Sequence, residues 1–524
     1  MIRNAVRAGL IVLAAAGLLC ACSQQDAPSS TPTAPAGKAD FTILAGSELR
    51  DIEPQLLAVA RKAGVSVSFA YAGTLDIVER VNAGEHFDAI LPPNGAYPTL
   101  ALQTKPVARE KLFYSRVALG VKTQKAHELG WDTKTPTWAD IAKESRAGHF
   151  RYAMTNPTSS NTGMSALFAV AAAAAHKTED LSVQDVNEGV LKDFLAGQAI
   201  TAGSSGWLSD TFAKDPAAVD GIVNYEAVLL RLNEKLSGGD RLLPIYPVDG
   251  VITADYPLML LDASKREPWQ KLVDAIKHIE FQRDVLQATY LRPSNPDAPP
   301  AAALPTTAVA ELAFPNSLDV IDQVLLAYQG EWRRPATSIF VLDVSGSMRG
   351  TRLKSMRDAL KVLSGADTTS LSARYTRFQN REKVVLISFS SRVSPAQTLT
   401  FERATLDDSG RKVRDYADKL DADGGTAIYS ALAEAETIAQ TEKSADAQRN
   451  VSIVLLTDGE NNEGIDAAEF RQRFADAHVR IFPILFGEAD ATEMRNLADL
   501  SGGKAFDARK ASLPAVFKDI RGYQ

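Results

Sequence analysis

The chain has 524 residues, with 57 Lys and Arg against 64 Asp and Glu, and a net charge of −7. Hydrophobic residues make up 45 % and charged residues 23 %, ordinary globular usage that excludes a disordered chain and a polytopic membrane protein. The basic residues are scattered and outnumbered, which excludes a nucleic-acid partner. Both cysteines, Cys20 and Cys22, lie near the N-terminus. Residues 23–524 therefore hold no disulfide, no thiolate metal site and no catalytic cysteine.

The N-terminus reads as a leader. Arg3 and Arg7 precede an unbroken apolar stretch from Ala8 to Cys22, too short to span a bilayer but right for a signal-peptide core. These residues alone suit any secretory signal. The end, Leu19-Cys20-Ala21-Cys22-Ser23, resembles the bacterial lipobox, with Leu three before the cysteine and a small residue next to it. Cys20 fits poorly, because Leu19 precedes it. The resemblance implies a lipoprotein signal peptide over 1–21 and thioether lipidation of Cys22. Ser23, rather than Asp, after the cysteine implies the outer membrane. A tether over 22–40 follows, with Pro28, Pro32 and Pro35 among Ser, Thr and Ala, expected to stay extended.

The first globular segment, 41–295, alternates strands and helices. Phe41–Ala45, Val65–Tyr71 and Phe87–Leu91 read as strands, with helical patterns between them, so βαβαβ with a parallel sheet is expected. Two strands end in Gly and a hydroxyl residue just before a helix, at Gly46-Ser47 and Gly73-Thr74. A third turn, Asn156 to Gly163, follows the strand Tyr152–Met154 and opens an apolar helix through Ala175. Such turns aim free N–H groups and a positive helix end at one spot, where a small anion can sit. Ser and Thr are equally ordinary N-caps, so these residues alone leave ligand binding open.

The order of elements resembles a type II periplasmic solute-binding protein, especially the molybdate and sulfate group. The matching pieces are Leu44-Ala45-Gly46-Ser47, Ala72-Gly73-Thr74, Phe87-Asp88-Ala89-Ile90-Leu91, Asn156-Pro157 with Ser160 and Gly163, Asn224-Tyr225-Glu226, and Asp249-Gly250. The resemblance implies two α/β lobes joined by a hinge. It places a small, oxyanion-like ligand between Gly46, Ser47, Gly73, Thr74, Ser159, Ser160, Asn161, Thr162, Gly163 and Tyr225.

A Pro-rich stretch opens the join, 296–335. There Leu312, Leu318, Val320, Ile321, Val324 and Leu325 recur at helical spacing, and Arg333-Arg334-Pro335 ends it. The second segment, 336–524, opens with the apolar run Ser338–Leu342, which delivers Asp343, Ser345 and Ser347 to a loop at i, i+2, i+4. Oxygens at that spacing suit a hard cation such as Mg²⁺. Thr426, after Gly424-Gly425, and Asp458, after the apolar strand Asn450–Leu456, sit on two further loops. Loops leaving the C-terminal ends of parallel strands share one crevice.

This segment closely resembles the von Willebrand factor A (VWA) domain, with the metal-ion-dependent adhesion motif complete at Asp343, Ser345, Ser347, Thr426 and Asp458. The resemblance implies Mg²⁺ or Mn²⁺ bound directly by Ser345, Ser347 and Thr426. Asp343 and Asp458 then act largely through water, and one position stays open for a partner's carboxylate. The whole succession resembles bacterial substrate-binding and VWA domain-containing proteins.

Enzyme motifs are missing: the six histidines form no HExxH, and Ser204-Ser205 is no nucleophile elbow. A non-enzymatic protein of the cell envelope is expected, facing the periplasm and held to the membrane only by lipid. It either captures an unknown protein through Mg²⁺ while presenting a small ligand, or serves as the substrate receptor of an ABC-type transporter with the VWA domain accessory.

Overall fold

The computed structural model describes residues 40–306, 308–366, 371–475, 479–509 and 512–523. The leader and Cys22 lie outside the described residues. From Asp40 onward the chain forms one compact unit built on three sheets.

The first sheet has Phe41–Gly46 at its heart, flanked in parallel by Val67–Ala72 and Ala89–Leu91. Helices Glu53–Lys62 and Thr74–Asn82 make the crossovers, each laying an apolar stripe on the sheet. The sheet is mixed, however. Pro257–Leu260 and Ala108–Lys111 extend it in antiparallel sense. These two strands carry the chain out to a second lobe and back, so their pairing joins segments nearly 150 residues apart.

The second lobe is organised on Phe113–Lys122, which pairs antiparallel with Gly221–Tyr225, Leu242–Ile245, Thr253–Ala254 and Arg292–Pro293. Tyr152–Thr155 lies parallel between Gly221–Tyr225 and Gln198–Ala202. The chain thus crosses between lobes three times, at Leu112, at Asp255-Tyr256 and again before Arg292–Pro293. Helix Asn161–Ala174 is buried on every side, which explains its nearly unbroken Ala, Leu and Val.

The Pro-rich join is not a free spacer. Arg292–Pro293 is a strand just ahead of it, Ala298, Ala301 and Leu304 within it are buried, and Pro299 O accepts a hydrogen bond from Gln287 Nε2 at 2.9 Å. The connecting helix runs only over Leu318–Ala327. Leu312 precedes it and donates its N–H to Val251 O at 2.9 Å, because Pro315 keeps Phe314 out of the helical region.

The third sheet follows the order Gln397–Phe401, Glu382–Phe389, Ala336–Asp343, Asn450–Thr457, Arg480–Leu485, Phe506–Asp507, parallel but for the first. Alternate residues of its central strand feed two cores: Ile339 and Val341 join one, Phe340 and Leu342 the other. Helices therefore cover both faces, the doubly wound arrangement. The second of these cores also holds Ala202, Leu208 and Phe212 of the second lobe, so the two domains share apolar interior.

Candidate functional site

The strand order of the third sheet reverses between Ala336–Asp343 and Asn450–Thr457, and ligands of open α/β sheets bind outside such a switch point. Asp343 ends the first of these strands, fully buried. Its Oδ1 accepts from Ser345 N at 2.8 Å and its Oδ2 from Thr457 Oγ1 at 2.7 Å. Burial pushes the Asp343 carboxyl above the usual range, against these hydrogen bonds. Ser345 Oγ and Ser347 Oγ lie 3.0 Å apart, and Ser347 Oγ donates to Asp458 Oδ1 at 2.6 Å.

Thr426 reaches the same place from a third loop. Gly346 N donates to Gly424 O at 3.0 Å and Asp423 N to Val344 O at 2.9 Å, which fastens that loop to the first. Gly424 turns there with φ +81°, where a side chain is strained. Asn462 Oδ1 accepts from Thr426 N at 2.7 Å. A Cβ added at Gly459 would stand 3.8 Å from Thr426 Oγ1 and 3.9 Å from Ser347 Oγ, so both hydroxyls border the residue after Asp458. All five expected residues are thus brought together, four buried and Ser347 exposed. The cluster opens to solvent on that side.

Arg352 belongs to the site without any motif to mark it. From the first turn of helix Thr351–Leu363 its Nη1 bonds Asp458 Oδ2, so Asp458 is held between a hydroxyl and a guanidinium. Gly487, at φ +55°, makes room for that pair: a Cβ there would stand 2.9 Å from Arg352 Cζ and from Asp458 Cβ. An arginine at a helix start looks like a solvated charge until the fold puts a carboxylate beside it.

The crevice of the first domain is closed. Gly73 lies so near the other lobe that a Cβ on it would stand 2.1 Å from Ser159 O. Ser47, Gly73, Ser159 and Ser204 line one cavity of about 640 Å³, together with Lys504 and Tyr523 of the second domain. Ser159 Oγ donates within its own lobe, to Asn156 O and Gly203 O. Ser160 and Asn161 are buried, and Asn161 Nδ2 donates to Tyr225 OH at 3.0 Å. Thr162 and Gly163 turn away from the crevice. Thr162 Oγ1 lies 2.8 Å from Thr155 Oγ1, and Gly163 N donates to the same Thr155 oxygen at 2.8 Å. Their polar groups complete the lobe's interior, as expected for hydroxyls packed under a buried helix.

Glu48 is the residue that the turn pattern concealed. It follows Ser47, is 4 % exposed, and its Oε2 accepts from Ser205 Oγ of the other lobe at 3.3 Å. Gly46 leaves space for it, since a Cβ there would stand 2.5 Å from Glu48 Oε1. Burial pushes the Glu48 carboxyl up to about 7, against the opposing influence of its own backbone, the Ser205 and Tyr256 hydroxyls and the charge of Arg231.

The last helix, Leu513–Arg521, belongs to the second domain but touches both lobes of the first. Lys518 Nζ pairs with Asp76 at 3.0 Å and with Glu79, both on helix Thr74–Asn82. A Cβ on Gly203 would stand 2.7 Å from the Tyr523 ring, which packs edge-on against Trp207 with centroids 4.5 Å apart.

Among the described residues, His86, Asp88 and Asp262 are the one group of three His, Asp or Glu side chains whose ligand atoms lie within 4.8 Å of one another. Asp88 Oδ2 is already engaged by Thr42 N and Oγ1, and Asp262 Oδ1 by Ser264. No described helix is long and apolar enough to cross a membrane.

This architecture is that of a two-lobed binding domain followed by a doubly wound domain with an oxygen-lined strand-end site. Residues 41–283 match the family model of the bacterial extracellular solute-binding protein, and residues 339–519 that of the von Willebrand factor type A domain. The chain joins these two domains in that order. Over 170 residues it is 29 % identical to human inter-alpha-trypsin inhibitor heavy chain H6, covering 30 % of this chain and 12 % of that one. It is 32 % identical over 136 residues to an uncharacterized protein of Mycobacterium tuberculosis, covering 26 % of this chain and 19 % of that one. The chain therefore spans less than a fifth of the curated relatives it matches. Similar solved structures include the periplasmic binding protein AfuA of Actinobacillus pleuropneumoniae, at 15 % identity and TM-score 0.43, covering 55 % of this chain and 97 % of that one. A von Willebrand factor type A structure from Catenulispora acidiphila aligns at 22 % identity and TM-score 0.30, covering 36 % and 42 %.

Proposed function

We propose that the protein captures a partner protein through a metal ion at Asp343, Ser345, Ser347, Thr426 and Asp458, as a lipoprotein of the cell envelope anchored at Cys22. The observation that carries this reading is the convergence of three loops on one all-oxygen cluster that opens to solvent at Ser347. Hydroxyl and carboxylate oxygens without nitrogen or sulfur fit Mg²⁺ or Mn²⁺. Only two of the five residues carry formal charge, so a bound Mg²⁺ keeps Lewis acidity for a partner's acidic side chain. Asp343 fixes the Ser345 loop and Thr457, while Asp458 orients Ser347 and is itself held by Arg352.

Titration calorimetry of the purified protein with MgCl₂ and MnCl₂ is the test. Binding is expected in wild type and is lost in Ser347→Ala, whose exposed side chain makes it the variant least disruptive to folding. By mass action, metal at a hundredfold excess over Kd adds about 2.7 kcal/mol of stability. No heat at millimolar metal would refute the site. Partner capture from an envelope extract that survives EDTA would refute the adhesion mechanism while leaving the site standing.

The closed crevice favours a second activity, solute binding by the first domain, facing the periplasm. Its support is the set of polar groups buried between the lobes at Glu48, Thr74 and Asn161. Whether the solute is handed to a transporter is decided by loss of uptake on deletion of the gene.

A further inference from the structure

Three oxygens buried at the closed crevice have no hydrogen-bond partner: Glu48 Oε1, Thr74 Oγ1 and Asn161 Oδ1. Their residues are 4 %, 1 % and 2 % exposed. Buried polar groups in folded proteins are nearly always paired, so three orphans around one crevice call for a partner. Glu48 Oε1 and Asn161 Oδ1 accept hydrogen bonds, and the Thr74 hydroxyl can accept one as well as donate. Asn161 Nδ2 is engaged by Tyr225 OH, which leaves the amide oxygen as its unused end. A partner rich in donors satisfies both acceptors and the hydroxyl.

Charge points the same way. The carboxylate of Glu48 sits where the turn pattern placed an external anion, bridging to Ser205 at the start of helix Ser205–Lys214 in the other lobe. A second anion brought here would be desolvated beside it. Arg231 is the cation that acts on Glu48, and its Nη1 and Nη2 are held by Thr289 O at 2.7 Å and Asp51 at 3.4 Å. The rings of Tyr225 and Tyr256, with centroids 6.0 Å apart, supply aromatic faces of the kind that attract cations. The 640 Å³ cavity lies directly outside: Ser47, Gly73 and Ser204 on its wall each precede a buried crevice residue, Glu48, Thr74 and Ser205.

We propose that the crevice takes a small organic cation with several N–H or O–H donors, such as an alkyl diamine, with Glu48 as its counter-ion. This rests on the reading of the first domain as a solute-binding domain and replaces the oxyanion implied by the turn pattern. The lobes separate to admit the ligand and close on it.

Calorimetry of the purified protein with 1,4-diaminobutane, sodium sulfate and sodium molybdate tests both levels. The diamine is expected to bind, and more than about tenfold more weakly in Glu48→Gln, which removes its buried counter-charge. Glu48→Gln relieves a buried charge and should fold. Asn161→Ala provides a second variant, expected to weaken binding without removing charge. Thermal unfolding of each variant checks its fold. Sulfate or molybdate binding in place of the diamine would overturn the cation and leave the solute-binding reading standing. Diamine binding equally tight in Glu48→Gln would also overturn it. No heat with any of the three would overturn it, and if a wider solute panel also gave none, the solute-binding reading would fall too.

Discussion

Glu48 has a cost that can be read from the protein's pH dependence. Its folded-state value of about 7 lies above the usual 4.5, so between these values the folded chain holds a proton that the unfolded chain has released. Its contribution to stability therefore declines as pH rises from about 4.5 to 7, and above 7 it amounts to a deficit of about 3 kcal/mol. Glu48→Gln should leave the melting temperature unchanged near pH 4.5 and raise it at pH 8. Comparing the two proteins at both pH values isolates this group from Asp519, which burial raises in the same sense to about 6. Equal melting temperatures at pH 8 would contradict this account. The five oxygen-bearing residues of the strand-end cluster were legible because their chemistry is written locally, as hydroxyl and carboxylate residues on loops beside apolar strands. Glu48 and Arg352 were not, because each acquires its role from a residue more than 100 positions away, Ser205 and Asp458.

Elements repeat that contrast. Central strands such as Ala336–Asp343 are buried on both faces, and their unbroken apolar runs are visible in the sequence. Ala108–Lys111 holds four residues of alternating exposure, including Arg109, Glu110 and Lys111, and becomes a strand because Pro257–Leu260 returns beside it. Only tertiary pairing could reveal it. The helix Asn161–Ala174 was legible from its composition, whereas the inward turn of its first residues was not. Gly163 shows how tightly that start is fitted, since a Cβ on it would stand 2.1 Å from Thr155 O. Gly163→Ala should cost about 1–3 kcal/mol through forced separation of the helix from strand Tyr152–Thr155. A shift in the urea midpoint measures it, and no shift would mean that the lobe yields freely there.

At the scale of the molecule, sequence boundaries suggested two domains on a string, but apolar residues of the second lobe and the VWA domain form one core. Lys518 extends this contact to the first lobe. Lys518→Met removes the cation paired with Asp76 and Glu79 and leaves these carboxylates and the nearby Asp519 less compensated. Since the pairs are about a quarter exposed, the expected loss is about 1–3 kcal/mol rather than that of a fully buried pair. Hydrogen exchange should show it as lowered protection of helix Leu513–Arg521. Protection equal to wild type would assign the contact to apolar packing alone.

The position of that helix has a kinetic consequence. Lobes that must part to exchange a solute must first release Lys518 from Asp76 and Glu79, or Tyr523 from its seat on Gly203 and Trp207. The work of releasing them enters the barrier in both directions, so a bound solute gains residence time without gaining a contact. Stopped-flow exchange in Lys518→Met should then be faster both on and off.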